Sequence, residues 1–239
     1  MNSAQILERL VGFATVSRDS NLELIEFARE FLSARGVACR LYPDASGRKA
    51  NLYAAIGPTD RAGIMLSGHT DVVPVDGQPW SSDPFQLKQR GEQLFGRGAA
   101  DMKGFIACAL RAADLASKRK LRMPLQLALS YDEEVGCLGV RSLIADMKSW
   151  SYRPTCCIVG EPTLLRTAVG HKGKTAVTSE IKFNHLHPTI LNERKIDSAT
   201  EFLIGRGSIC KQTANVQLRC TVLRCLTFCG RIAVFGVAR

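Results

Sequence analysis

The sequence predicts an α/β fold in which a mixed, largely parallel sheet is flanked by helices. Short apolar runs bounded by Gly, Pro, Asp or Asn alternate with stretches whose apolar residues recur at helical spacing. Such alternation is the signature of strand–helix–strand units. The pattern holds over residues 1–176 and fades over 177–239, where Cys becomes frequent and no Asp or Glu follows Glu201. Two regions are therefore expected, an α/β domain at 1–176 and a tail of different character at 177–239.

The elements follow in order. Residues 4–16 and 22–35 read as amphipathic helices. In the second, Leu24, Phe27, Ala28, Phe31 and Leu32 form one stripe, with Asn21 as N-cap and Gly36 as terminator. Apolar runs at 37–41, 52–56 and 64–67 read as strands, and 86–88 with 94–95 as a small hairpin. A third helix begins near Asp101, because Met102, Phe105, Ile106, Ala109, Leu110 and Ala113 share a face. Residues 125–130 form a strand, 139–147 a short helix and 156–159 another strand. There is no internal repeat.

Composition narrows the function classes. A hydrophobic fraction of 46% and a charged fraction of 23% are those of a soluble globular protein. The most apolar stretch, 220–237, is interrupted by Arg224 and Arg231, so no membrane span is expected. Residues 1–9 lack the basic and apolar regions of a secretory signal, which implies a cytoplasmic chain. The net charge of +10 comes largely from the acid-free tail, and no basic run alternates with aromatics. No nucleic-acid partner is expected. Nine cysteines without a C-x-x-C spacing read as reduced, mostly buried thiols. Cys220, Cys225 and Cys229 match no common zinc-knuckle spacing.

Four polar clusters each fall just past a predicted strand or at a helix start: Ser67-Gly68-His69-Thr70-Asp71, Gly98-Ala99-Ala100-Asp101, Asp132-Glu133-Glu134 and Gly160-Glu161-Pro162. Loops at the carboxyl ends of parallel strands converge on one rim. One imidazole and several carboxylates gathered there suit zinc, cobalt or manganese. Residues two apart in an extended segment face the same way, so Asp71 can fix the tautomer of His69. Adjacent Glu133 and Glu134 can divide their roles, one toward metal and one toward water. Taken singly, each cluster has a plainer reading. Asp101 is a helix cap, Glu133-Glu134 a solvated loop, and Glu161-Pro162 a turn. Four in series favour a metal centre.

These motifs resemble those of the M20 metallopeptidase and deacylase family. Ser67-Gly68-His69-Thr70-Asp71-Val72-Val73-Pro74 is similar to its first metal motif, Gly96-Arg97-Gly98-Ala99-Ala100-Asp101-Met102-Lys103-Gly104 to its second, and the Glu133 and Glu161 clusters to its third and fourth. The resemblance runs from about residue 1 to 176. Gly160-Glu161-Pro162-Thr163 with Gly170-His171-Lys172-Gly173 resembles the branch that deacetylates acetylornithine. It implies a zinc-peptidase-like fold and two divalent metal ions, zinc or cobalt. His69 and Glu161 would hold one ion, Asp101 would bridge, and Glu134 would hold the second. Asp71 would orient His69, and Glu133 would be the general base. The implied substrate is a small N-acyl amino acid, with release of acetate and ornithine in arginine biosynthesis.

Departures from the family pattern bear on activity. The family takes a late histidine to its second metal, uses another from a lid domain, and forms homodimers through that lid. The later histidines here are His171, His185 and His187, none in the family's lid-histidine or late-ligand motif. A weakly held or absent second metal is therefore expected, with 177–239 standing where the lid would begin. A non-catalytic remnant that binds metal or a partner is the alternative reading. The segment 168–175 approaches a phosphate-binding loop, but its first glycine is Ala168 and no strand–loop–helix frame surrounds it.

Overall fold

A computed structural model of the protein describes residues 1–168, 171–185 and 214–228. The chain divides into two compact units, built on Met1–Val169 and on Gly170–Gly230. The first unit contains α1 (Ser3–Gly12), α2 (Leu22–Ser33), β1 (Cys39–Pro43), β2 (Ala50–Ile56), β3 (Ile64–His69), β4 (Lys88–Arg90) and β5 (Gln93–Phe95). It continues with α3 (Gly104–Ala116), β6 (Leu125–Ser130), α4 (Val140–Met147) and β7 (Cys156–Val159).

Five strands form a mixed sheet in the order β1-β2-β6-β3-β7. β1 joins β2, and β2 joins β6, antiparallel. β3 lies parallel to both β6 and β7, with His69 opposite Ser130 and Ser67 opposite Val159. The short link 44–49 suffices for an antiparallel hairpin and is too short for a parallel crossover. Strand β6 shows the expected alternation. Leu127 and Leu129 enter the core beneath α1, α2 and α3, while Ala128 turns to the opposite face with Leu143 of α4.

Helix α1 is shorter than predicted at its C-terminal end. Asn2 caps its start through a reciprocal pair of hydrogen bonds with Gln5, and Ile6, Leu7, Leu10 and Val11 are buried. At Phe13 the backbone becomes extended, and Val16 pairs instead with Val72. In α2 the buried set is Leu24, Ile25, Ala28, Phe31 and Leu32. Phe27 is half-buried, packed at a tilt between Phe13 and Phe31. Gly36 ends the helix at φ +72, as its position suggested.

Asn21 stands at the N-cap position of α2, but its side chain makes no capping hydrogen bond. Its amide donates to the Ala50 carbonyl and to Thr70 Oγ1, and its side-chain oxygen accepts from the Ala50 N–H. The competing partner is a backbone edge of β2, beyond local sequence reasoning. Helix α3 starts at Gly104, three residues later than predicted, because Asp101 and Met102 have non-helical dihedrals. Its predicted face is buried, with Phe105 9% exposed and Ile106, Leu110 and Ala113 fully buried. Truncating Leu110 to Ala would cost about 2–5 kcal/mol.

Within residues 1–168 all five cysteines are free, but the expectation of burial fails there. Cys108, Cys137 and Cys156 are exposed, and Cys39 and Cys157 are intermediate. Cys156 and Cys157 lie on β7, which is an edge strand of the sheet among the described residues.

In the second unit β8 (His171–His185) pairs antiparallel with β9 (Ala214–Phe228), His171 opposite Phe228 and His185 opposite Ala214. Gly173, Lys174 and Thr175 lie within β8, so they do not form a loop that enters a helix. The change of character read at residue 176 falls inside this strand. His187, Cys210 and Cys229 lie outside the described residues. Among the described residues no helix is long and apolar enough to cross a membrane.

Candidate metal centre

Three parallel neighbours place the site. His69 is the last residue of β3, Glu133 and Glu134 follow β6, and Glu161 follows β7, so all emerge at one rim of the sheet. Asp101 comes to the same rim from the irregular turn before α3. That turn needs Gly98, which has φ +77 and whose added Cβ would lie 2.7 Å from Val72 Cγ1. Gly160 is needed for a different reason. A Cβ there would fall 1.9 Å from the Phe105 ring, so only glycine lets the chain before Glu161 lie on that ring.

The structure brings all six sequence-predicted residues together. His69 is 2% exposed, and its Nε2 lies 3.0 Å from Asp101 Oδ1, 3.9 Å from Glu133 Oε2 and 3.8 Å from Glu161 Oε1. Two groups of ligand atoms form, each within 4.8 Å: His69 with Glu133 and Glu161, and His69 with Asp101 and Glu134. They share the imidazole. Glu133, the expected base, thus stands in the first group beside Glu161.

Asp71 does more than the sequence suggested. His69 Nδ1 lies 2.8 Å from the Asp71 main-chain carbonyl and 3.6 Å from its carboxylate. The carboxylate accepts from Ser17 Oγ at 2.7 Å and from the N–H groups of Glu133 and Glu134 at 3.1 and 3.2 Å. Asp71 therefore ties the β3 rim to the turn after β6. Ser17, Lys49 and Lys103 were not singled out from sequence. Lys103 is fully buried with Nζ donating to the Phe13 carbonyl at 2.7 Å, and burial lowers its pKa to about 7. The first two contact residues tens of positions away, so no local signal marks them.

Electrostatics show what the rim lacks. Within residues 1–168 no Lys or Arg pairs with Asp101, Glu133, Glu134 or Glu161; His69 is their one cationic neighbour there. Burial raises the Glu161 pKa to about 7, and repulsion from Asp101, Glu133 and Glu134 adds to it. Glu134 is raised by burial and by Asp101. Burial disfavours protonation of His69, but hydrogen bonds to Asp101 and Asp71 outweigh it and push its pKa to about 11. Asp71 moves down, because bonds from His69, Ser17 and Glu133 overcome its burial. The donor set of one imidazole with surplus carboxylates fits borderline divalent ions such as zinc or cobalt.

A mixed α/β fold with a His–carboxylate rim of this kind defines a class of candidate metal-binding domains. Comparison assigns the family. The sequence profile of peptidase family M20/M25/M40 matches residues 65–218, and the chain belongs to that family. It is 39% identical over 176 residues to an acetylornithine deacetylase of Pasteurella multocida (strain Pm70), covering 71% of this chain and 45% of that protein. It is 42% identical over 158 residues to an acetylornithine deacetylase of Edwardsiella ictaluri (strain 93-146), covering 64% of this chain and 39% of that protein. The chain thus spans less than half the length of these relatives.

Solved structures agree on the fold. Human carnosine dipeptidase 1 superposes with a TM-score of 0.68 at 19% identity, over 80% of this chain and 46% of that one. The M20 family metallo-carboxypeptidase Sso-CP2 of Sulfolobus solfataricus gives 0.67 at 22% identity, over 82% and 47%.

Proposed function

We propose that this chain carries the metal-binding catalytic domain of an amide hydrolase acting on small N-acyl amino acids, with N2-acetyl-L-ornithine as substrate. The observation that carries the reading is the pair of ligand groups sharing His69 at one sheet rim. The similarity to acetylornithine deacetylases supports the substrate and a place in cytoplasmic arginine biosynthesis. Residues 1–176 are read as the catalytic domain and 177–239 as the segment standing where a lid begins.

In this reading His69 and Glu161 would hold one ion, Asp101 would be shared between the two, and Glu134 would hold the second. The second ion would be the weaker, because none of His171, His185 and His187 falls in the family's late-histidine motif. When bound, zinc or cobalt supplies Lewis acidity, drawing electron density from the amide carbonyl and lowering the pKa of water. Asp71 keeps the His69 ring in place through Nδ1. Glu133 takes the proton of the attacking water and returns a proton to the departing amine as the acyl–nitrogen bond breaks. The products are acetate and ornithine.

The test is acetate release from N2-acetyl-L-ornithine by the purified chain in Zn²⁺ or Co²⁺. Glu133→Gln should cut the rate by about 10²–10⁴-fold while zinc remains bound. A folded, metal-loaded chain that releases no acetate would sink the hydrolase reading and leave a non-catalytic metal-binding domain.

A further inference from the structure

Glu133 and Glu134 must diverge from one short turn to serve the two ligand groups, and that turn is held from outside the four motifs. Ser17 is buried, 7% exposed, and donates through Oγ to Asp71 Oδ2 at 2.7 Å. Its N–H donates to the Val72 carbonyl at 3.1 Å. Its own carbonyl accepts from Lys49 Nζ at 2.5 Å, and the same ammonium donates to Asp132 Oδ1 at 2.6 Å. Asp132 has φ +56, a left-handed backbone that a non-glycine residue adopts only when its surroundings hold it. The next two N–H groups, of Glu133 and Glu134, return to the Asp71 carboxylate. The bonds close a ring: Asp71, Ser17, Lys49, Asp132, Glu133 and back to Asp71.

We propose that Ser17 and Lys49 are positioning residues of the metal centre. This rests on the metal-binding reading given above and assigns it two residues that touch no metal ligand atom. The ring clamps the turn after β6 against the end of β3, so that Glu133 and Glu134 face His69 before any ion arrives. A carboxylate already held in place gives up less freedom on binding, and loss of an outer partner typically weakens metal affinity by about 10–100-fold. Lys49 has a particular part. Its side chain is 15% exposed and bridges two loops that share no main-chain hydrogen bond with each other.

The test uses the full chain, with Zn²⁺ as probe in competition with a chelator, and NMR hydrogen exchange at the Glu133 and Glu134 amides of the metal-free protein. Ser17→Ala and Lys49→Met should each weaken Zn²⁺ binding by about 10–100-fold and speed exchange at those two amides. Lys49→Arg should restore most of both. Thr15→Val, which removes a nearby bond to the Thr70 carbonyl outside the ring, should lower stability and leave Zn²⁺ affinity alone. Folded Ser17→Ala and Lys49→Met proteins with wild-type affinity and wild-type exchange would overturn the proposal. A Thr15→Val protein that loses affinity as they do would also overturn it, by showing a general loss of stability. If the wild type binds no Zn²⁺, the metal reading fails. The amide exchange still decides whether the ring holds the turn.

Discussion

Two clusters of charge in this molecule solve opposite problems. At the rim, one imidazole faces Asp71, Asp101, Glu133, Glu134 and Glu161. Below α2, a single carboxylate, Asp114 of α3, is surrounded by Arg35, Arg111 and Lys118. Asp114 is 3% exposed and its pKa falls to about 2, held there by hydrogen bonds to Lys118 and Arg35. The guanidinium of Arg35 also lies 3.5 Å over the Phe31 ring and bonds the Phe31 carbonyl, so the cluster fastens the end of α2 to α3. One site neutralises its buried charge from the chain itself; the other leaves acid in excess. Complete neutralisation marks a structural tie, and an acid surplus on a rigid rim marks a place for a cation.

The largest effect should separate the two clusters directly. Saturating Zn²⁺ should raise the thermal midpoint of the wild type, by about 2.7 kcal/mol of stabilisation at a hundred times Kd. His69→Ala should abolish that rise, and Asp114→Asn should keep it, as differential scanning fluorimetry can show. A rise preserved in His69→Ala would mean that zinc binds elsewhere.

The next effect concerns how the rim is built. Gly160→Ala puts a methyl group into the Phe105 ring and should cost about 1–3 kcal/mol in urea denaturation. Trimming the ring in a Gly160→Ala, Phe105→Leu double variant should recover part of the added loss. Full additivity of the two changes would break the steric account.

The smallest effect sharpens the other half of the comparison. Asp114→Asn should destabilise the protein by about 1–2 kcal/mol at neutral pH, since bonds to charged groups are lost while Arg111 and Lys118 remain solvated. The folded pKa of Asp114 lies below its unfolded value, so its contribution is complete above about pH 4. It is lost as pH falls through about 2. Wild type and variant should therefore converge in stability on acidification; a gap that widens toward low pH would contradict the ion-pair origin.

Much of this was legible in advance, for reasons specific to each element. Strands β6 and β7 match their predicted limits, because they are apolar runs with polar breakers at both ends. Three of the four rim motifs were legible because each ends or follows a strand of a parallel trio, and parallel strands deliver their following loops to one edge. The start of α3 was not, since Asp101 and Met102 carry helical side-chain periodicity on a backbone bent to reach the rim. Nor was the role of Asn21, whose partners on β2 and in the loop after β3 compete with the helix it precedes.

By itself the sequence determined the order of elements over residues 1–168, most of the buried faces of α2 and α3 and the acid–imidazole identity of the site, because periodicity and residue chemistry are local properties. Tertiary structure alone decided which atoms meet. It set His69 between two carboxylate groups, turned the Asp71 carboxylate toward the Glu133 and Glu134 amides, and drew Ser17 and Lys49 into the support of that turn. Those contacts join residues more than thirty positions apart. Their geometry depends on strand register and loop path, which no local pattern encodes.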